Sequence, residues 1–370
     1  MEAMKKRVLF ILHLPPPVHG AAMVGQYLHD SSLINREFEC RYINLTTAKN
    51  LQDIGKGGIG KLWKYFKLLR KIVAGILEFK PQLVYITPNA CDGAFYKDFI
   101  VVWLVKLFGC KVVVHYHNKG VSTRQNKWLD DKLYRRFFKG IKVILLAETL
   151  YQDVERYVKQ KDVYICPNGI PDVLEPKPVI GRHNGKPHIL FLSNLIESKG
   201  AWVLLDALQQ LKDKGYPFVC DFVGGETAEI DSRCFKAEVE KRNLESSVVY
   251  HGKKFGEEKN AFLKEADIFV FPTFYPNECF PLVLLEAMQY GVACVSTHEG
   301  GIPGIIEDGQ TGWLVKRQSA DDLAGKLIWM LAHPLETKAM GERGKKKFDR
   351  EFTLSCFETR MKEILQKLLV

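Results

Sequence analysis

The chain has 370 residues, 46% hydrophobic and 26% charged, a composition typical of folded domains and a length too great for one ordinary core. It contains no run of about 18 apolar residues without charges, so the sequence offers no membrane-spanning helix. The formal net charge of +10 favours phosphates, nucleic acid or anionic headgroups without choosing among them, while nine cysteines without a C-x-x-C pair read as reduced core thiols of a cytoplasmic protein and not as a disulfide frame or zinc site.

MEAMKKRVLFILHLPPP opens with a basic end and an apolar stretch that imitates a secretory signal. The stretch is short and no small-residue cleavage site follows it, so RVLFILH is read as a buried first strand. From there short apolar runs alternate with amphipathic stretches, the signature of βαβ units and a mostly parallel sheet. Strands are predicted at FECRYINL, QLVYIT, KVVVHYH, KVILLA and DVYICP, with helices over Gly20 to Asp30, Lys61 to Phe79, Ala94 to Phe108 and Trp128 to Phe138. Three prolines stiffen the loop before Gly20, whose lack of a side chain lets the backbone come close to a ligand; G-x-G-x-x-G is missing, so a dinucleotide fingerprint is not supported. In KLWKYFKLLRKIVAGILEFK the apolar positions Leu62, Phe66, Leu69, Val73 and Ile76 keep helical spacing beside Lys61, Lys64 and Lys71. That pattern fits an ordinary Rossmann-type helix with a wet basic face, and Trp63 and Tyr65 among the lysines also fit a helix resting on an anionic membrane. Alternation puts His115 and His117 on one face of KVVVHYH, but a histidine pair without a third ligand does not make a metal site.

NGIPDVLEPKPVIGRHNGKP, rich in Pro and Gly, reads as a linker at residues 171–186 between domains 1–170 and 187–345. The strand pattern then restarts with HILFLSN, FVCDFVG, SVVYHG, DIFVFPT, VACVST and GWLV. The tail 346–370 has helical spacing at Phe352, Phe357, Met361, Ile364 and Leu368 and is expected to pack along a domain or back on the first. Two doubly wound domains bind ligands at the carboxyl ends of their strands, so the loops after strands should carry the chemistry.

In DIFVFPTFYPNECFPLVLLEAMQYGVACVS the order is strand, loop, helix, Gly stop, strand. Pro281 suits the first helical position, which would aim the amides of Leu282, Val283 and Leu284 at an anion. Glu278 lies just before that end and Glu286 more than one turn into the helix. Spacing alone leaves it equally open that Glu278 is a solvated loop residue and Glu286 a surface charge. Gly300 and Gly301 form a second loop after a strand, Gly224 and Gly225 another, and Lys199 before a helix could serve as a cationic clamp or simply face solvent.

Together PPPVHGAA, VHYHN, CPNGI, FLSNLIESKGAWVLLDA, FVGGE and ECFPLVLLEAMQYGVACVSTHEGGIPGIIEDGQTGWLV resemble the family 4 retaining glycosyltransferases. The resemblance spans nearly the whole chain, and its last block, two glutamates with seven residues between them followed by EAM, G and GGIP, is highly specific. It implies an α/β fold of GT-B architecture, with two Rossmann-like domains across a cleft. The donor is then a nucleotide sugar, the acceptor a glycan or lipid-linked molecule, and the partner set includes an anionic membrane surface but no nucleic acid. No cofactor or metal is expected, and the protein would be cytoplasmic, peripheral to the inner face of the membrane.

By the same resemblance Glu278 matches the glutamate on the donor sugar, Glu286 the one on the ribose and Lys199 the lysine on the diphosphate. Phe280, Leu282 and Val283 fall where backbone surrounds the phosphates, and Gly224 and Asn194 belong to neighbouring donor loops. His117 aligns with an acceptor-side histidine and Gly20 with a loop near the donor. Three departures stand out: Ser193-Asn194-Leu195 replaces a GRL triplet, so a phosphate cation is missing or supplied by Lys253 or Lys254; Gly304 replaces a glutamate; and Pro171 precedes Asp172. The first departure keeps open a non-catalytic nucleotide-sugar-binding protein or synthase subunit of the same fold.

Overall fold

The computed structural model describes residues 5–46, 59–173 and 185–370. Most of the expected linker, 174–184, therefore lies outside the described residues. The chain divides into two compact units, residues 1–169 with 354–370 and residues 170–353. Each is built on a six-stranded parallel sheet.

Unit 1 contains strands β1 (Arg7–Leu12), β2 (Glu39–Asn44), β3 (Leu83–Ile86), β4 (Val112–His115), β5 (Lys142–Leu145) and β6 (Val163–Ile165), in the order β2-β1-β3-β4-β5-β6. Its helices are α1 (Gly20–Asp30), α2 (Ser32–Glu37), α3 (Ile59–Phe79), α4 (Asp92–Leu107), α5 (Val121–Arg124) and α6 (Trp128–Phe138). Unit 2 contains β7 (His188–Leu192), β8 (Val219–Val223), β9 (Val248–Tyr250), β10 (Ile268–Phe271), β11 (Ala293–Thr297) and β12 (Gly312–Val315), in the order β12-β11-β10-β7-β8-β9. Between and after them run α7 (Ala201–Asp213), α8 (Ser232–Lys241), α9 (Gly256–Glu265), α10 (Leu282–Gln289), α11 (Ile302–Ile305), α12 (Ala320–Ala332) and α13 (Pro334–Glu351); α14 (Leu354–Leu369) belongs to unit 1.

Strands such as Val8–Leu12, Leu83–Ile86 and Ile268–Phe271 are buried along their whole length because helices cover both faces of the sheet, which is why they read as unbroken apolar runs. In each unit the strand order reverses once, between β1 and β3 and between β7 and β10. At such a reversal the loops diverge and leave a crevice at the carboxyl ends of the strands.

The expected boundary at 345/346 falls inside α13. That helix continues to Glu351 in unit 2, and the chain enters unit 1 only at Leu354. Phe352 and Thr353, read as part of the tail, hold to unit 2: the Phe352 ring lies 5.8 Å from Phe280, the Phe352 carbonyl accepts from the Ile170 amide, and Thr353 bridges Ile170. Within unit 1, α14 buries Phe357, Met361 and Leu365, and Gln366 donates to Glu37 at the end of α2. Of the nine cysteines only Cys166, Cys220, Cys279 and Cys294 are buried; Cys234 is exposed and the rest are partly covered, and none of the nine is in a disulfide.

Candidate functional site

The reversal of unit 2 brings together the loop after β7 and the loop after β10. After β7 the chain makes a tight turn over Glu197–Lys199. The loop after β10 grips that turn, with the Phe274 amide donating to the Ser198 carbonyl at 2.8 Å and the Thr273 hydroxyl to the same oxygen at 3.3 Å. A second turn, closed by the Glu278 amide on the Tyr275 carbonyl at 2.9 Å, aims Glu278 back at Lys199. The ammonium of Lys199 donates to Glu278 Oε2 at 2.6 Å and sits 4.3 Å from the Tyr275 ring centroid. Glu278 is only 8% exposed. Removing either partner would therefore strand the other as a poorly hydrated charge, a cost of about 3–5 kcal/mol for a fully buried pair.

The glycine loop after β11 supports this arrangement from the other side. Gly300 has φ +55°, and a Cβ there would come within 2.2 Å of the Glu278 carbonyl oxygen. The adjacent Gly301 amide donates to the Cys279 carbonyl at 2.7 Å. The close backbone approach that these glycines allow is made to the Glu278 segment itself.

Pro281 is not the first residue of α10 but its cap, with extended backbone at φ −69° and ψ 119°. Its carbonyl accepts from the Leu284 amide at 3.2 Å, so the first-turn donors for which a helix has no internal acceptor are those of Leu282 and Val283. Leu284 drops out of the expected set. The side chain of Phe280 is buried against Phe352, which leaves only its backbone for a ligand. One turn into the helix, Glu286 accepts from Lys259 of α9 through Oε1 at 2.8 Å, while its Oε2 is buried without a hydrogen-bond partner.

Asn194 is exposed, and its side-chain oxygen accepts from the Gly225 amide at 3.1 Å, tying the β7 loop to the β8 loop. Gly224 is needed at this junction, because a Cβ would lie 1.7 Å from the Ser193 carbonyl oxygen. Of the two lysines considered as substitutes for the missing cation, Lys254 pairs with Glu258 at 3.1 Å. Lys253 runs past Gly225, with its ammonium 4.8 Å from the Phe255 ring.

His117 and Gly20 lie in unit 1, in the segments that follow β4 and β1. The His117 ring lies tilted at 46° against that of His115 with centroids 4.2 Å apart, and Tyr85 shares a 2.6 Å hydrogen bond with the His115 ring. His13, whose amide donates to Thr87, sits 6.0 Å from His19, and His19 caps α1 by accepting from Ala22. Burial, aided by His13 and His19, pushes His117 down to about 3; burial, Lys97 and His19 do the same to His13. All of this keeps the cluster neutral near pH 7. Among the described residues no group of three or more His, Cys, Asp or Glu side chains is arranged to hold a metal ion. Gly20 opens α1 at the surface, with no atom within 4 Å of where its Cβ would be.

Lys199 and Glu278 are thus in contact, Leu282, Val283 and Glu286 share one helix, and Asn194 and Gly224 share one junction. Sequence reasoning missed Lys259, Thr273 and Tyr275. Nothing in the local pattern of α9 distinguishes Lys259 from its other charged residues, since its partner lies on another element.

Residues 172–347 match the family described as glycosyl transferases group 1. A relative from Salmonella typhimurium, named for colanic acid biosynthesis, is 30% identical over 49% of this chain and 45% of its own length. The amylovoran biosynthesis glycosyltransferase AmsK of Erwinia amylovora is 28% identical over 71% of this chain and 66% of its own. The chain therefore spans about half to two thirds of the length of these curated relatives. HepE of Anabaena, solved in complex with UDP, superposes with a TM-score of 0.74 at 14% identity over 98% of this chain and 100% of its own. The fold is that of the GT-B glycosyltransferases, and the residues that match the glycosyl transferases group 1 family, 172–347, all lie in unit 2.

Proposed function

We propose that the protein is a retaining glycosyltransferase of hexosyl type, moving a sugar from a UDP- or GDP-linked donor to a glycan or lipid-linked acceptor in cell-surface polysaccharide or glycolipid assembly. The observation that carries this reading is the Lys199–Glu278 pair at the strand-order reversal, directly before the amino end of α10. The names of the colanic acid and amylovoran relatives support the product class, and UDP in HepE supports the donor class. A lipid-linked acceptor would bring the protein to the cytosolic face of a membrane, and peripheral contact there is part of the same proposal.

Donor entry exchanges partners. The diphosphate takes the Lys199 ammonium and the Leu282 and Val283 amides, whose dipoles favour anionic oxygen. Glu278, released from Lys199, accepts from sugar hydroxyls, and Glu286 Oε2 accepts from the ribose. Breaking the bond between the sugar carbon and the phosphate oxygen gives an oxocarbenium-like sugar and adds negative charge to the leaving diphosphate. That developing charge is what Lys199 and the amides stabilise, so no metal is required in this scheme. The acceptor oxygen bonds the same face of the sugar as its proton passes to the departing phosphate. Neutral His117 serves the acceptor as a hydrogen-bonding group.

The test is turnover of UDP- and GDP-sugars by purified protein, beside Glu278→Ala. Substitution is expected to abolish transfer while nucleotide binding persists; full transfer by a folded Glu278→Ala protein would overturn the site. A second reading, a nucleotide-sugar binder without turnover, draws on Asn194, whose side-chain oxygen accepts from the Gly225 amide where a cation was expected. Donor binding with no transfer across a broad acceptor panel would favour it.

A further inference from the structure

Among the described residues, ten of the fifteen large apolar side chains left exposed lie on α3, α4, the residue after α4, and α6. Right-handed crossovers place the helices that follow β2, β3 and β4 on one face of the unit 1 sheet, so this exposure gathers on a single layer.

The composition of α4 explains much of it. Phe95, Val101, Val102 and Val105 face the core, yet Ile100, Trp103 and Leu107, at i, i+3 and i+7, are 43%, 51% and 62% exposed. A helix that is apolar all round is ordinarily covered all round. On α3, Trp63 and Phe66 are exposed and stack 5.9 Å apart; on α6, Trp128 is 75% exposed. Tyr65, suggested by the sequence as part of an aromatic membrane face, instead turns toward α4 and donates to the Lys97 carbonyl.

The same layer is basic. Lys64, Lys67, Arg70 and Lys71 stand on α3, whose one acid, Glu78, pairs with Arg41. On α6, Asp130 and Asp131 are paired with Arg124 and Arg135. Two lysines lie directly over tryptophans, Lys67 at 5.5 Å from the Trp63 centroid and Lys132 at 5.0 Å from that of Trp128. A protein interface has a core poor in charge, lysine above all. Interleaved indole and ammonium suit the edge of a bilayer, where the ring sits at headgroup depth and the cation reaches lipid phosphate.

We infer that the exposed α3–α4–α6 face is a docking surface for an anionic lipid bilayer, with Trp63, Trp103 and Trp128 entering the headgroup region and the α3 cations on lipid phosphates. It rests on the membrane side of the proposed function and not on its transfer chemistry.

Flotation of the full chain with vesicles tests it, using phosphatidylcholine alone or mixed with phosphatidylglycerol. The chain is expected to float with the mixed vesicles only, with a blue shift of tryptophan emission that salt reverses. Lys64→Gln with Lys67→Gln should weaken that binding by about one order of magnitude. Trp63→Ala with Trp103→Ala should weaken it comparably at an unchanged melting temperature, because both rings are exposed. Absence of binding to the mixed vesicles, or equal binding by all variants, would overturn the inference. So would a solution dimer lost in the tryptophan variant, which would make the face a contact between copies. Nucleotide-sugar turnover on the same preparations separates the two proposals: its loss with vesicle binding intact counts against the transferase alone.

Discussion

At the scale of single residues, the two glutamates of the signature block differ in what holds them. Glu278 is paired with the lysine assigned to the donor diphosphate, whereas Glu286 is held by Lys259, which has no place in the signature. With Oε1 fixed by Lys259, Oε2 is the acceptor that the proposed ribose contact would use. Lys259→Met should free the carboxylate to rotate, raising KM for the nucleotide sugar about tenfold with little change in kcat, as expected when a charged hydrogen bond is lost from binding alone. Lys259→Arg should recover most of it; equal loss of kcat in both variants would count against a positioning role. The histidines make a different claim. Because the folded values of His13 and His117 are depressed to about 3, the unfolded chain takes up protons first as pH falls below its ordinary histidine value of about 6.5. Their contribution to stability is complete above that value and declines as pH drops toward 3. Urea midpoints should fall between about pH 7 and about pH 5, less steeply in His117→Gln, and a flat profile would contradict the burial of these rings.

Elements were legible to the extent that their physics is local. The twelve strands described were all readable, the central ones because strands buried on both faces must be apolar throughout, and α10 was bracketed by Pro281 and by Gly291, which has φ +71°. Pro281 was misplaced by one position because a proline ring fixes φ alike for cap and first turn, and only ψ separates them. The break between α13 and α14 escaped the pattern for another reason. Phe352 has the right spacing for the tail but packs against Phe280, a contact that no periodicity reports. The glycines were found as loop markers and not as contacts. Gly224 is the sharpest case, since its missing side chain admits the Ser193 carbonyl. Gly224→Ala must push the β7 and β8 loops apart, and we expect a destabilisation of about 2–4 kcal/mol together with loss of nucleotide binding. Thermal unfolding and nucleotide titration measure the two effects, and an alanine variant with native melting and affinity would show that the junction yields easily.

For the whole molecule the question is what the +10 charge does. Some of it is accounted for by a single face of unit 1. In the proposed reaction the leaving diphosphate needs charge at one place and moment in unit 2, and net charge cannot supply that. Lys199 and the first-turn amides of α10 can, because they are fixed before the reaction begins and need no reorganisation during it. Lys253, running past the β8 loop, is the nearest candidate for the cation that Asn194 does not provide. If these groups suffice, transfer in excess chelator should stay within about twofold of its rate with magnesium. Lys199→Met should lower kcat by about two to three orders of magnitude, the usual loss on removing one preorganised donor to developing charge, and magnesium should not restore it. Lys253→Met should act in the same direction but more weakly. A wild-type rate that collapses in chelator and returns with magnesium would place the metal, and not Lys199, at the leaving group, and the Lys199–Glu278 pair would then be structural.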